Sequence, residues 1–240
     1  MLIDTTFDFR SDAGTDDPDQ SSPTLRRYHQ VLWSKPLPVG QVFDLDLTTP
    51  GEYLHHRSSL GEFFLSSDSV IATYSYWQAT AGMIAQLPTD EIEVFEHVGY
   101  TIGGMMVFPS NKVDNKPTIN AARGANRTTI ADRMDLTLEC IRRFYAGDSD
   151  TPLGTTLKRY EPFFALFENF AGYVDFFLLQ DLVDDHQQQV EFFLPFHGFD
   201  NSAIPVELGR YLEFRENSIS FVTARNTRIA TWAAQYLLPH

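Results

Sequence analysis

Twenty Phe, ten Tyr and three Trp are spread along a chain of 240 residues. Aromatic side chains carry large buried areas, so a chain this rich in them has to close around a core. With 43% hydrophobic residues it does not have the composition of a disordered polymer. At this length folding buries roughly 70–75% of the unfolded chain's surface. Such a core needs neither disulfides nor a metal. The one cysteine, Cys140, cannot form an internal disulfide. It falls near an apolar helix face and reads as a buried, inert thiol.

The formal net charge of −14 repels a phosphate backbone at long range and argues against broad nucleic-acid binding. The N-terminal residues lack the basic and apolar regions of a signal peptide. The apolar stretch from Phe170 to Val183 is interrupted by Asp175, Gln180 and Asp181, too short and too polar to span a bilayer. A cytoplasmic protein without a membrane role is the expectation.

Residues 1–22 read as an irregular acidic lead-in whose aspartates miss the spacing of a calcium loop. Ser22-Pro23 then opens a helix with an N-cap and a first-turn proline. Leu25, Tyr28, Val31 and Leu32 give it one apolar face, and Lys35-Pro36-Leu37-Pro38 ends it. Val42–Leu47 alternates like a strand, and Glu62–Leu65 and Val70–Tyr74 are further strand candidates. Tyr76–Leu87 reads as a helix, and Thr89 as the cap of the next. Tyr100–Phe108 reads as a buried strand with Gly103-Gly104 inside it, and Thr118-Ile119-Asn120 as a short paired strand. Thr129–Ala146 is the clearest helix, followed by helical stretches over Leu153–Phe167 and Phe170–Val183. Val190–Phe196 reads as a strand, and a last helix runs from Pro205 to about Tyr236. No repeat or linker divides the chain, so residues 1–240 read as a single globular domain. Helices outnumber strands without βαβ alternation, which predicts an α+β fold, rich in helix, with a small, mainly antiparallel sheet.

On the helix from Thr129, Ile130, Met134, Leu138, Ile141 and Tyr145 share one face. Asp132, Asp135, Glu139, Arg142 and Arg143 fall opposite, as a solvated face supported by the Glu139–Arg143 pair. Arg133 breaks the pattern at the margin of the apolar stripe, beside Thr137, Cys140 and Phe144, where a guanidinium must pair, snorkel or bind something. Upstream, Asn120, Arg123 and Arg127 lie in a loop-like segment before that helix. Arginines near free N–H groups at a helix N-terminus suit an anion. Asn120, Arg123, Arg127 and Arg133 are therefore the candidate ligand-binding residues. Arg123 and Arg133 would clamp the anion, Arg127 would add field, and Asn120 would orient the ligand. An arginine before a helix serves as readily as a clamp on backbone carbonyls. No P-loop or G-x-G-x-x-G accompanies the set.

On the last helix, Leu208, Leu212, Ile219, Val222, Ile229, Ala233 and Leu237 form an apolar stripe. Arg215 and Asn226 fall within it and read as a structural polar network. His29, His55, His56, His97, His186 and His197 do not share a metal-ligand spacing. Asp44 and Asp46 share a strand side and could hold Mg²⁺, but that alternation is common on exposed strand faces. No metal site is assigned and no cofactor is indicated. Glu139 suits a general base only if its face lines a cleft, which the amphipathic pattern disfavours.

The segments Gly99–Pro109, Thr118–Gly124, Asp132–Arg143 and Tyr173–Val183 together resemble a bacterial protein family defined only as a domain of unknown function. The likeness extends over most of the chain. It implies a bacterial or phage origin and one domain, and carries over no catalytic residue. Two readings of function follow. The first is binding or processing of a small anionic ligand, a nucleotide or phosphorylated metabolite, at the arginine segment. The second is a non-catalytic protein-interaction or regulatory module whose acidic surface steers a basic partner.

Overall fold

The computed structural model describes residues 3–47 and 54–237. It is an α+β fold, 47% helical, with one three-stranded antiparallel sheet. In chain order the elements are α1 (Pro18–Ser21), α2 (Pro23–Trp33), β1 (Leu54–Ser58), β2 (Gly61–Ser69), α3 (Ala81–Ile84), α4 (Thr89–Gly99) and β3 (Met105–Pro109). There follow α5 (Ile119–Ala125), α6 (Met134–Tyr145), α7 (Gly154–Arg159), α8 (Glu161–Phe164), α9 (Phe170–Phe176) and α10 (Leu208–Tyr236).

The helix expected from Ser22 forms as α2. The Ser22 hydroxyl accepts the Leu25 N–H at 3.1 Å, and Asp12 accepts from both Ser22 Oγ and the Thr24 N–H. The acidic lead-in is thus partly ordered: Asp8 caps a 3-10 turn over Phe9–Ser11, and Phe9 is fully buried. α2 turns Leu25, Tyr28, His29, Leu32 and Trp33 inward.

β2 is the central strand, pairing with β1 through Leu54↔Leu65 and with β3 through Leu65↔Pro109. Three expected strands reduce to less. Val42–Leu47 makes only the isolated bridges Pro36↔Val42 and Asp46↔His55, and Val190–Phe196 only Val183↔Val190. Val70–Tyr74 does not continue β2, because Tyr74 turns into the left-handed region with φ 60°. The strand expected from Tyr100 starts at Met105, after a 3-10 turn over Ile102–Gly104.

The helices are also redrawn. Of Tyr76–Leu87 only Ala81–Ile84 is α-helical. Thr89 opens α4 but does not cap it; Pro88 holds that position, and no side chain closes the cap. Thr118-Ile119-Asn120 opens helix α5 instead of forming a strand, with Thr118 Oγ1 accepting the Ala121 N–H. α6 starts at Met134 rather than Thr129, because Ala131 and Asp132 both adopt positive φ, 51° and 55°. The long stretches after Leu153 and Phe170 break into α7, α8, α9 and 3-10 turns. They pack an aromatic core in which Phe163, Phe167, Tyr173, Phe176 and Phe177 meet Trp33 and Phe43.

The polar face expected on α6 does not reach water as a whole. Asp135 is fully buried and Glu139 nearly so, while Arg142 and Arg143 both bind the Glu139 carboxylate through their Nε at 2.7 Å. α10 likewise buries Tyr211, Phe214, Phe221, Val222 and Arg225, and leaves Leu208 exposed.

Candidate functional site

Three arginines lie buried, and the packing matches each in a different way. Arg123 sits in α5, not in a loop, and points into the core. Its Nε donates to Thr137 Oγ1 at 3.0 Å, Nη2 to the carbonyls of Ser69 and Asp132 at 3.0 and 2.9 Å, and Nη1 to the Asp68 carboxylate. The Phe108 ring lies 5.2 Å from its guanidinium carbon. Burial pushes the Asp68 carboxyl above its ordinary range; the Asp132 charge adds to that, and Arg123 opposes it. Arg123 therefore pins β2 to the turn before α6 and fixes the carbonyl of strained Asp132.

That turn delivers Arg133 to the head of α6. Tyr74 Oη donates to the Ala131 carbonyl at 2.8 Å and holds the turn from the other side. Arg133 donates through Nε and Nη2 to the two oxygens of Asp135 at 3.1 and 2.5 Å, and through Nη1 to the Ala203 carbonyl at 3.1 Å. Three of its five N–H groups are used in this way. Burial works against the Arg133 charge, but the Asp135 carboxylate outweighs it and raises the pKa. Asp135 also accepts the Phe193 N–H at 2.9 Å, so one carboxylate positions both Arg133 and the start of segment 193–203.

This segment closes a pocket of about 170 Å³ over Arg133. Leu136, Leu194 and Phe196 form apolar walls, and Thr129, His197, Asn201, Ser202 and Arg210 bring polar atoms. Among the described residues no carboxylate lines it. Arg210, in the first turn of α10, and His197 are exposed at the rim.

The structure divides the four expected site residues. Arg133 lines this pocket. Arg127 stacks over Trp77 at 5.6 Å in a neighbouring open depression with Tyr76 and Ile204. The two concavities adjoin where the Ala203 N–H donates to the Thr128 carbonyl. Asn120 lies elsewhere, donating from Nδ2 to Ser66 Oγ and the Ser67 carbonyl. Arg123 has its guanidinium committed to the core. Sequence reasoning missed Asp135, read as solvated, and Arg210 and His197, which reach the pocket only because segment 193–203 folds back. No local pattern marks them.

Arg225, the third buried arginine, has no carboxylate in hydrogen-bonding reach among the described residues. It donates to the carbonyls of Phe177, Leu178, Gly103 and Met105, between 2.8 and 3.2 Å. Burial lowers its pKa to about 10, still cationic at neutral pH. Nearby, Lys35 lies among three aromatic rings, and burial together with the Arg225 charge lowers its pKa to about 7.

Among the described residues, no group of three or more His, Cys, Asp or Glu is placed to hold a metal ion. His55 contacts Glu62 and stacks on Phe64, and His56 contacts the Asp44 carbonyl and Ser58. No described helix is long and apolar enough to cross a membrane.

The molecule is thus an α+β protein with an aromatic core, polar clamps built on buried arginines, and a small cation-lined pocket beside one of them. The chain belongs to a family of unknown function, DUF6994, whose model matches residues 3–229. No curated protein and no solved structure matches it.

Proposed function

We propose that the protein binds a small anionic ligand in the pocket over Arg133. One observation carries this reading. In a chain of net charge −14, a concave pocket is lined by Arg133, Arg210 and His197 and, among the described residues, by no carboxylate. Arg133 is pre-positioned by Asp135, so binding costs little ordering of that side chain. Arg210 and Arg127 add positive field from the rim and the adjoining depression. At about 170 Å³ the pocket is below the ~300–1,000 Å³ of clefts for drug-sized ligands. It suits a phosphate or small carboxylate group, with the rest of a phosphorylated metabolite or nucleotide outside.

Arg210→Ala is the clean test, because Arg210 is exposed, whereas removing Arg133 would strand buried Asp135. Wild type and variant are compared in thermal shift against inorganic phosphate, phosphosugars, nucleotides and small dicarboxylates. A ligand at about 100 times its Kd adds ~2.7 kcal/mol, a rise of roughly 5–10 °C at this chain length. A rise seen in wild type and lost in the variant supports the reading. No rise with any of these anions, or an equal rise in both proteins, overturns it.

A second reading, a protein-interaction module, is favoured by Tyr76, which is 92% exposed beside the Trp77–Arg127 stack. Tyr, Trp and Arg are the residues enriched at interface hot spots.

A further inference from the structure

We propose that the pocket beside Asp132 is a second ligand site, separate from the one over Arg133, and that it takes a small primary alkylammonium ion. Asp132 and Arg133 are consecutive, yet they line different pockets. The Asp132 pocket has a volume of about 220 Å³. Tyr74, Tyr76, Trp77 and Tyr100 wall it, and Asp68 and Asp132 bring its carboxylates. Among the described residues no lysine, arginine or histidine lines it. The pocket over Arg133 is lined instead by Arg133, Arg210 and His197.

The two carboxylates differ in what they already hold. Asp68 accepts the Ser69 N–H on Oδ1 at 3.0 Å and the Arg123 guanidinium on Oδ2. Arg123 reaches Asp132 only at its backbone carbonyl. Among the described residues no hydrogen bond or ion pair engages the Asp132 carboxylate. The nearby guanidiniums do not offset it: Arg127, over Trp77, lines the neighbouring open depression, and Arg10, over Tyr100, is paired with Asp8 and Glu96. One negative charge therefore stands unmatched beside aromatic rings. A hard divalent cation needs about six oxygen ligands. Along this wall the carbonyls of Ser69, Ile71, Thr73 and Tyr74 already accept from Arg123, Ser69, Tyr211 and Thr80. An alkylammonium needs less. Its N–H groups donate to Asp132 in a charge-assisted bond, and the ring faces receive the rest of the charge and the alkyl chain. A volume below the ~300–1,000 Å³ of drug-sized clefts limits that chain to a few carbons.

Calorimetric titration with n-butylammonium chloride at fixed ionic strength reads the site, with n-butanol as the neutral isostere and magnesium chloride as the hard cation. Wild type should give a saturable isotherm with n-butylammonium and none with the alcohol. Asp132→Asn keeps the left-handed turn, since asparagine tolerates positive φ. It should weaken binding roughly tenfold or more, the scale of a lost charge-assisted hydrogen bond. Tyr76→Ala, at a position that is 92% exposed and outside the core, should weaken it severalfold without disturbing the fold. Arg210→Ala should bind the ammonium as wild type does, so failure of the anion reading at the Arg133 pocket leaves this site standing. The absence of an n-butylammonium isotherm, an affinity unchanged by Asp132→Asn, or tighter binding of Mg²⁺ that Asp132→Asn abolishes, overturns the proposal.

Discussion

The side-chain oxygen of Asn226 accepts the backbone N–H of Gly103 at 2.7 Å, across 123 residues of sequence. The next residue inward, Arg225, takes the Gly103 carbonyl at 2.9 Å. α10 thus grips one glycine at both ends of its peptide units, where a Cβ would stand 2.6 Å from the Val222 carbonyl oxygen and 2.7 Å from Asn226 Oδ1. Gly103→Ala should push α10 off the 3-10 turn before β3 and cost about 1–3 kcal/mol, the usual scale of overpacking. Urea denaturation of the two proteins measures it, and an equally stable variant would show that α10 is free to shift.

Arg225 satisfies four carbonyls, two just past the end of α9, one in the 3-10 turn before β3 and one at the first residue of β3. Arg225→Met leaves those acceptors without donors, at roughly 3–5 kcal/mol. Arg225→Lys should recover little, since an ammonium cannot reproduce the planar fork. Calorimetry should show Tm lowered by about 10 °C or more in both variants. Full rescue by lysine would mean that charge, not geometry, matters there.

His29 is buried between Trp33 and Ser67. Trp33 Nε1–H donates to Nδ1 at 3.0 Å, which leaves Nε2 to carry the proton towards Ser67 Oγ at 2.9 Å. Burial, aided by Arg225, lowers its pKa from 6.5 to about 3. Between those values the unfolded chain holds a proton that the folded chain does not. Its contribution is therefore complete above the unfolded value and fades on acidification, by about 1.4 kcal/mol per pH unit. His29→Gln should be less stable at neutral pH yet lose stability less steeply towards acid. Parallel acid slopes in denaturant titrations would contradict this.

Asp135 and Arg210 separate stability from binding at the Arg133 pocket. Asp135→Asn keeps the shape but removes the charge opposite buried Arg133, and should cost roughly 3 kcal/mol. Arg210→Ala, at an exposed position, should stay within about 0.5 kcal/mol of wild type. Chemical denaturation without ligand distinguishes them; equal losses would mean that Arg210 also supports the fold.

Cys140 is fully buried, and burial pushes its thiol up to about 12. The native protein should leave it unlabelled by an aromatic disulfide reagent and release one equivalent of thiolate chromophore in denaturant. Rapid labelling of the native protein would show that α6 opens locally.

Local chemistry made much of this fold legible in the sequence. The Ser22-Pro23 start of α2, the span of α10 to Tyr236, the helix-rich α+β class with a small antiparallel sheet and the burial of Cys140 follow from capping, periodicity and composition. Arg133 and Asn226 stood out because a polar group on an apolar face needs a partner. The identity of those partners was not legible, because Ala203, Gly103 and Thr101 lie 70, 123 and 125 residues away.

The residues that departed from expectation were decided by tertiary contacts. Thr118–Asn120 opens a helix with Thr118 as its N-cap, and Arg123 one turn later anchors that helix to Asp68 and Thr137. Helix α6 lost its first turn because Tyr74 and Arg123 hold the carbonyls of left-handed Ala131 and Asp132. Asp135 and Glu139 are buried because arginines neutralise them, which a periodicity that scores every carboxylate as exposed cannot register. The sequence by itself determined that an aromatic core would form and which helices could start where. Tertiary structure alone decided which arginines are consumed by the core and which face a pocket, since that depends on carboxylates and carbonyls brought close only when the whole chain has closed.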